Sequence, residues 1–454
     1  HITGPGNATI NGGTVNGNSA GREGGGLWNG SGIMTLDAVT IDANLALGDA
    51  ADDGGAGVFN NGGTLNISNG TIISNNLATG TAASGGGLLS TAGDVTINDA
   101  SFVANAANRA GGAIEIIDGN LNFTNASMIN NDVNGTAGTA APGNGGGLHV
   151  TGTSGTIIIA TSTISGNAAA NEGGGLWNQN GTVMNVSTST IDNNSASEGG
   201  GVYNNGGAIT NIMTSTISGN SASVSGGGVT NNGAVLDLNA VTIAMNSSTG
   251  IGGGIDAVNN VTLKNSIVAL NTAASGLDVS GNVISNDYNL IGTDDLSVFA
   301  SQANDLEEVS PLLGPLQDNG GTTFTHQLLN NSPAFDAGDP ADLFTDQIGQ
   351  SVFGTARDMG AFEAQAALSV SEFDFSSVLS VYPNPTNGVF AIEIGESIAN
   401  DINLKVISIT GKLVKEVTLG TGVNTVDING LASGLYILNL TFDTNQVTHK
   451  LILN

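Results

Sequence analysis

The 454-residue chain contains no cysteine, which removes disulfides, cysteine–zinc sites and thiol nucleophiles together. It is also poor in positive charge: 8 Lys and Arg stand against 38 Asp and Glu, a formal net charge of −30. Such a field repels phosphate backbones and anionic lipid surfaces, which argues against nucleic-acid binding and peripheral membrane docking. With so few cations, pairing of opposite charges cannot be the main stabilising device. Aromatics make up 4% of residues, and no apolar run approaches the roughly 18 residues that span a bilayer. The row starts at His1 with neither Met nor a leader, so it reads as a mature or trimmed chain with an export signal expected upstream.

What is abundant is glycine, 70 residues, and it recurs in a pattern. A Gly triplet followed by an aliphatic residue appears at Gly24–Leu27, Gly85–Leu88, Gly145–Leu148, Gly173–Leu176, Gly199–Val202, Gly226–Val229 and Gly252–Ile255. Between the triplets a second signature, apolar-x-x-Asn, ends at Asn44, Asn76, Asn105, Asn131, Asn167, Asn194, Asn220, Asn246 and Asn271. The last four intervals are 27, 26, 26 and 25 residues, so one unit is stacked on itself. Thr190-Ile191-Asp192 and Thr216-Ile217-Ser218 alternate polar and apolar, the period of a strand. About 26 residues hold three short strands and three turns, one coil of a parallel β-helix with coils ~4.8 Å apart. Aliphatics then form inward columns. Asn at a fixed turn position tolerates left-handed backbone and bonds to the Asn one coil away. The longer interval from Asn131 to Asn167 implies a loop, placed at Gly135 to Asn144.

Gly111-Gly112-Ala113-Ile114 together with Phe102-x-x-Asn105 resembles the paired motifs of polymorphic outer-membrane proteins, themselves similar to β-helical adhesins. That likeness covers roughly residues 20 to 275 and implies a right-handed parallel β-helix; adhesion follows only as analogy. From Asn286 the rhythm breaks. Pro311-Leu312-Leu313-Gly314, Asp318-Asn319-Gly320-Gly321, Ser332-Pro333-Ala334-Phe335-Asp336 and Asp358-Met359-Gly360-Ala361-Phe362-Glu363 resemble a choice-of-anchor Q domain, which implies a cap on the helix end. The sequence thus divides into repeats at 1–290, a cap at 291–363, a linker at 364–377 and a last domain at 378–454. In that last domain four Lys face six acids, a net charge of −2 that leaves −28 on everything before it. Its alternating segments and turn signals predict about seven strands in a small antiparallel sandwich. Pro383-Asn384-Pro385, Gly411-Lys412, Gly434-x-Tyr436 and the final strand with Lys450 resemble the type A sorting domain of type IX secretion. The resemblance implies an Ig-like sandwich, recognition by the type IX secretion apparatus, cleavage of the signal domain on export, and a secreted or surface location in a Bacteroidota-type bacterium.

Chemistry is sparse. Enzymes on this fold use carboxylates with calcium or a Lys/Arg base, yet before the linker only Arg22, Arg109, Lys264 and Arg357 are available, on distant coils. His149 and His326 stand apart. Asp336, Asp339, Asp342 and Asp346 form an acid-rich loop that could offer hard oxygen ligands to calcium, although the ordered spacing of a calcium loop is missing. No other cofactor is implied, and no catalytic residue is assigned. One column is distinctive. If the aliphatic after each Gly triplet points inward, the next residue points outward: Trp28, Phe59, Leu89, Glu115, His149, Trp177, Tyr203, Thr230 and Asp256. Trp28, Phe59, Trp177 and Tyr203 then make either an exposed strip suited to a glycan or a surface protein, or a ring stack that stabilises the coils. The expectation is a noncatalytic, secreted or cell-surface interaction protein, adhesin-like or part of an extracellular matrix. The alternatives are a polysaccharide-active β-helix lyase or hydrolase, and a self-assembling structural subunit.

Overall fold

The computed structural model describes residues 1–133, 143–233, 235–365, 379–394, 402–442 and 445–454. The loop expected at 135–144 falls almost wholly outside the described residues, as does most of the 364–377 linker. The chain forms two compact units, His1–Gln365 and Ala366–Asn454.

The first unit is a parallel β-solenoid. In one coil the strands are Val202–Asn204, Ile209–Met213, Thr216–Ser218 and Ser221–Ser225; in the next they are Val229–Asn231, Val235–Asn239, Thr242–Ala244 and Ser247–Ser248. Pairing is parallel and in register, with Val202 beside Val229, Ile212 beside Leu238 and Ile217 beside Ile243. Inward positions carry the aliphatics of one continuous core, which also takes in Phe102, Phe123 and Met184. Strand alternation thus sends one half of each strand to the core and leaves the other half outside.

Two devices turn each corner. The residue before each ladder Asn is left-handed: Ala43, Asn75, Ala104, Asn130, Gly166, Asn193, Gly219, Met245 and Leu270. The sequence reading placed that conformation on the Asn itself; it lies one position earlier, and the Asn is free to point its amide along the stack. Asn18 to Asn271 form an unbroken run in which each Nδ2 donates to the Oδ1 of the next coil's Asn at 2.9–3.0 Å. The run ends on a carboxylate, with Asn271 Nδ2 donating to Asp278 Oδ1 at 2.8 Å. Every member from Asn44 onward is buried. At the Gly triplets the coils almost touch. A Cβ on Gly174 would lie 2.4 Å from the carbonyl oxygens of both Gly200 and Ser195, so only glycine fits.

Residues beyond 290 do more than close the end. Val298 and Phe299 pack on the core and Leu306–Glu307 pairs with the last coil, Leu290–Ile291. The chain then runs back along the flank of the third strands. Thr190 Oγ1 donates to the Phe324 carbonyl at 2.6 Å, Thr216 Oγ1 to Gln347 Oε1 at 2.7 Å, and the Ala361 amide to Thr242 Oγ1 at 3.0 Å. His326, buried, donates from Nδ1 to the Gly314 carbonyl and so accepts from Ser218 Oγ at Nε2. The segment thus pairs with the last coil and runs along the flank of three coils.

Among the described residues the second unit has seven strands in two antiparallel sheets. One holds Leu379–Tyr382, Val389–Ile394 and Gly422–Asp427; the other holds Leu413–Leu419, Ile402–Ser408, Gly434–Phe442 and Asn445–Leu453 in that spatial order. Phe390, Leu404, Val406, Leu438 and Leu451 fill the space between them.

Candidate functional site

The column after the Gly triplets exists, and its register is as expected: Trp28 beside Phe59, Glu115 beside His149, His149 beside Trp177, Trp177 beside Tyr203. Its exposure is not. Phe59 is 2%, Trp177 5% and Tyr203 3% exposed, and Trp28 is half-buried. The exposed binding strip is therefore corrected to a stacked, buried column. The cause lies in the preceding turn. The first glycine of each triplet is left-handed (Gly173 φ 65°, Gly199 φ 61°), which brings the residue ahead of it alongside the aromatic ring. Trp177 Nε1 donates to Glu172 Oε2 at 2.8 Å, and Trp28 Nε1 repeats this with Glu23 at 2.9 Å. Glu172 also accepts from Asn144 Nδ2 at 2.8 Å. Burial, with the charge of Glu172 beside it, pushes the Tyr203 hydroxyl up to about 12.

At the centre of the column the sequence reading missed a polar cluster. His149 Nδ1 lies 2.8 Å from Glu115 Oε2, Thr151 Oγ1 donates to Glu115 Oε1 at 2.9 Å, and Arg109 Nη1 is 3.7 Å from that same oxygen. The His149 ring stacks on Trp177 at 4.2 Å and 21°. Glu115 and His149 are both buried, and His149 Nε2 has no hydrogen-bond partner among the described residues. A glutamate, an imidazole and a guanidinium together can perform acid–base chemistry; here the Glu115 and His149 side chains are buried and Arg109 is partly exposed.

The acid-rich loop does not converge. Lys264 Nζ holds Asp339 and Asp342 at 2.8 Å each, Asp346 accepts the amides of Ile348, Gln350 and Glu363, and Asp336 accepts the Thr355 amide. The calcium candidate is corrected accordingly: these carboxylates are already used by a lysine and by turn amides. Among the described residues no three His, Cys, Asp or Glu groups could hold a metal ion. Arg357 is buried with its guanidinium 4.1 Å from the Phe344 ring centroid, and burial raises the carboxyl of neighbouring Asp358 to about 7.

What the solenoid does expose is the outer face of its second strands. Outward residues stand in register from coil to coil: Thr96 beside Asn122, then Ile158, Asn185, Asn211 and Asp237. A rank on one side runs Asp94, Asn120, Thr156 and Val183, and on the other Asn98, Thr124, Ala160 and Ser187. Asn211 Nδ2 donates to Asn185 Oδ1 and Asn120 Nδ2 to Asp94 Oδ1, both at 2.9 Å, so the amides hold one another in place.

In the second unit the motif residues have structural work to do. Asn384 Nδ2 donates to the Lys450 carbonyl at 2.7 Å and Asn384 Oδ1 accepts the Ile452 amide at 2.9 Å, so Pro383-Asn384-Pro385 clips the last strand. Tyr436, buried, donates its hydroxyl to the Ala432 carbonyl at 2.7 Å. Gly411, left-handed at φ 81°, closes the turn in which the Ser408 amide donates to the Lys412 carbonyl. Gly434 begins the strand that carries Tyr436, and Lys450 is exposed on the final one.

Residues 380–454 match the family of secretion system C-terminal sorting domains. No curated protein matches the chain. Among solved structures, the crystal structure of pectate lyase Pel9A is similar over 79% of this chain and 88% of that one, at 13% identity and a TM-score of 0.45. With the clipped sandwich and the family match in hand, the chain carries a type IX C-terminal sorting domain and is exported across the outer membrane to a secreted or cell-surface location.

Proposed function

We propose that the chain is a noncatalytic interaction protein, adhesin-like or a component of an extracellular matrix, and that it meets its ligand through the open face of the second strands. The observation that carries this reading is the in-register array of short, mostly uncharged side chains on that face. Coil spacing of ~4.8 Å and an i to i+2 step of ~6.7 Å set these hydroxyls and amides, with Ile158 and Val183 among them, on a regular lattice. Such a surface offers many hydrogen bonds to a glycan or a protein. Screening residues 1–365 against glycan and protein arrays, then replacing Asn122, Asn185 and Asn211 together by Ala, tests it. The expected result is a binder whose affinity falls about tenfold or more in the variant at unchanged thermal stability. Equal binding by the variant rejects the open face.

A polysaccharide-active enzyme is the second reading, and Arg109, Glu115 and His149 favour it as base and acid. Depolymerisation of a polysaccharide that disappears in Glu115→Gln would put this reading in place of the first.

A further inference from the structure

The final strand, Asn445–Leu453, lies at the edge of its four-stranded sheet; among the described residues its strand partner is Gly434–Phe442, and a single parallel bridge joins Leu453 to Thr386. An edge strand leaves the N–H and C=O of every second residue without a neighbouring strand. Ile452 identifies the outward set: its amide donates to Asn384 Oδ1 at 2.9 Å, and its carbonyl accepts the Thr386 amide at 2.8 Å. The register from Asn445 to Leu453 has no bulge, so the backbone groups of Lys450, Thr448 and Gln446 point away from the neighbouring strand as those of Ile452 do. The segment Pro383–Thr386 occupies the carboxyl end of this edge. Asn384 takes the Lys450 carbonyl, and the Thr386 carbonyl accepts the Asn454 amide at 2.9 Å. Ahead of that clip the amide of Lys450 and both backbone groups of Thr448 have no strand beside them among the described residues. The side chains of Thr448 and Lys450 are exposed along the same stretch.

We propose that the edge from Gln446 to Lys450 is where an extended segment of the export apparatus adds as one more strand, and that Pro383–Thr386 is the stop that fixes its register. Strand addition draws affinity from main-chain hydrogen bonds and reads side chains in alternation, which suits a signal that many unrelated cargoes carry. Neither Pro383 nor Pro385 has an N–H to offer, so an incoming strand cannot pair past the clip, and two copies cannot zip together over the whole edge. Lys450, exposed beside the open groups, calls for an acidic side chain on the partner strand. The inference concerns the signal domain alone and stands whether or not the solenoid face binds a ligand.

The test uses the full chain in a host with a working type IX system. Thr448→Pro removes an amide hydrogen that faces the open edge, so no bond of the native sheet is lost, and proline is tolerated at such positions. The expected outcome is a secreted fraction reduced about tenfold or more, with periplasmic accumulation and an unchanged melting profile, while Thr448→Val is exported like the parent. Export of Thr448→Pro at the parental level overturns the proposal. If that variant fails to fold, amide exchange in the parent decides: the Thr448 and Lys450 amides should exchange fast and the Ile452 amide slowly, and a protected Thr448 amide overturns it. A parental dimer that becomes monomeric in Thr448→Pro would assign the edge to a second copy and overturn the choice of partner.

Discussion

Replacing Asn220 by Leu isolates what the amide ladder contributes. Asn220 is fully buried, and its Oδ1 accepts both the backbone amide and the Nδ2 of Asn194 at 2.9 Å. Its own Nδ2 donates to the Ile191 carbonyl and to Asn246 Oδ1, again at 2.9 Å. Leucine has the same branched heavy-atom skeleton, is bulkier, and carries none of these polar groups. The Asn194 amide loses its acceptor outright, at about 1–3 kcal/mol for a buried orphan, and the Asn194 side chain and the Ile191 carbonyl each lose a partner at about 0.5–1.5 kcal/mol. The expected loss is about 2–6 kcal/mol, confined to neighbouring coils because each coil touches only those beside it. Amide exchange is the suitable assay, since a long repeat array need not unfold in one step. Exchange at Asn194 should accelerate by a factor of tens or more, with exchange at Asn44 unchanged. Asn122→Leu, on the exposed face, should move stability by no more than about 0.5 kcal/mol. An Asn220→Leu variant with parental exchange at Asn194 would refute the reasoning.

Trp177→Ser should destabilise the solenoid by about 3–5 kcal/mol, as truncation of a buried ring does, and circular dichroism melting would register it; an unchanged melt would mean the ring is free in solution. Burial raises the carboxyl of Asp278 to about 6 and that of Asp358 to about 7, from about 3.9 in the unfolded chain. The folded state therefore holds these protons more tightly, and their contribution to stability is complete below about pH 4 and is lost as pH rises through 6 and 7. The melting temperature should fall between pH 5 and pH 8, and Asp358→Asn should flatten the slope; a slope identical to the parent's would count against it.

The repeat, its strands and its buried amide ladder were legible in the sequence because stacking repeats each local choice many times over. Where one residue must be both polar and internal in every coil, a self-paired amide column is the solution that leaves nothing unsatisfied. The left-handed residue ahead of each ladder Asn was not legible, since Ala43, Gly166, Met245 and Leu270 share no side-chain property. Strand alternation alone puts Trp177 and Tyr203 outside, and does so correctly; what it cannot give is the turn that covers them. A signal was present all the same. A glutamate stands five residues before each of Trp28, Trp177 and Tyr203, and in the two tryptophan cases it accepts the indole N–H. The return of residues 323–361 along Thr190, Thr216 and Thr242 joins positions more than a hundred residues apart, and no local pattern encodes it. In the signal domain the motif residues were visible, but not the role of Asn384 as a clip, because its partners lie at the far end of the domain.

The division of labour between the two units is tested most directly by fractionating cells. The chain lacking residues 378–454 should fold as the solenoid and accumulate in the periplasm, and residues 378–454 joined to an unrelated periplasmic protein should carry it out of the cell. Efficient secretion of the truncated chain, with the fusion retained inside, would contradict the account.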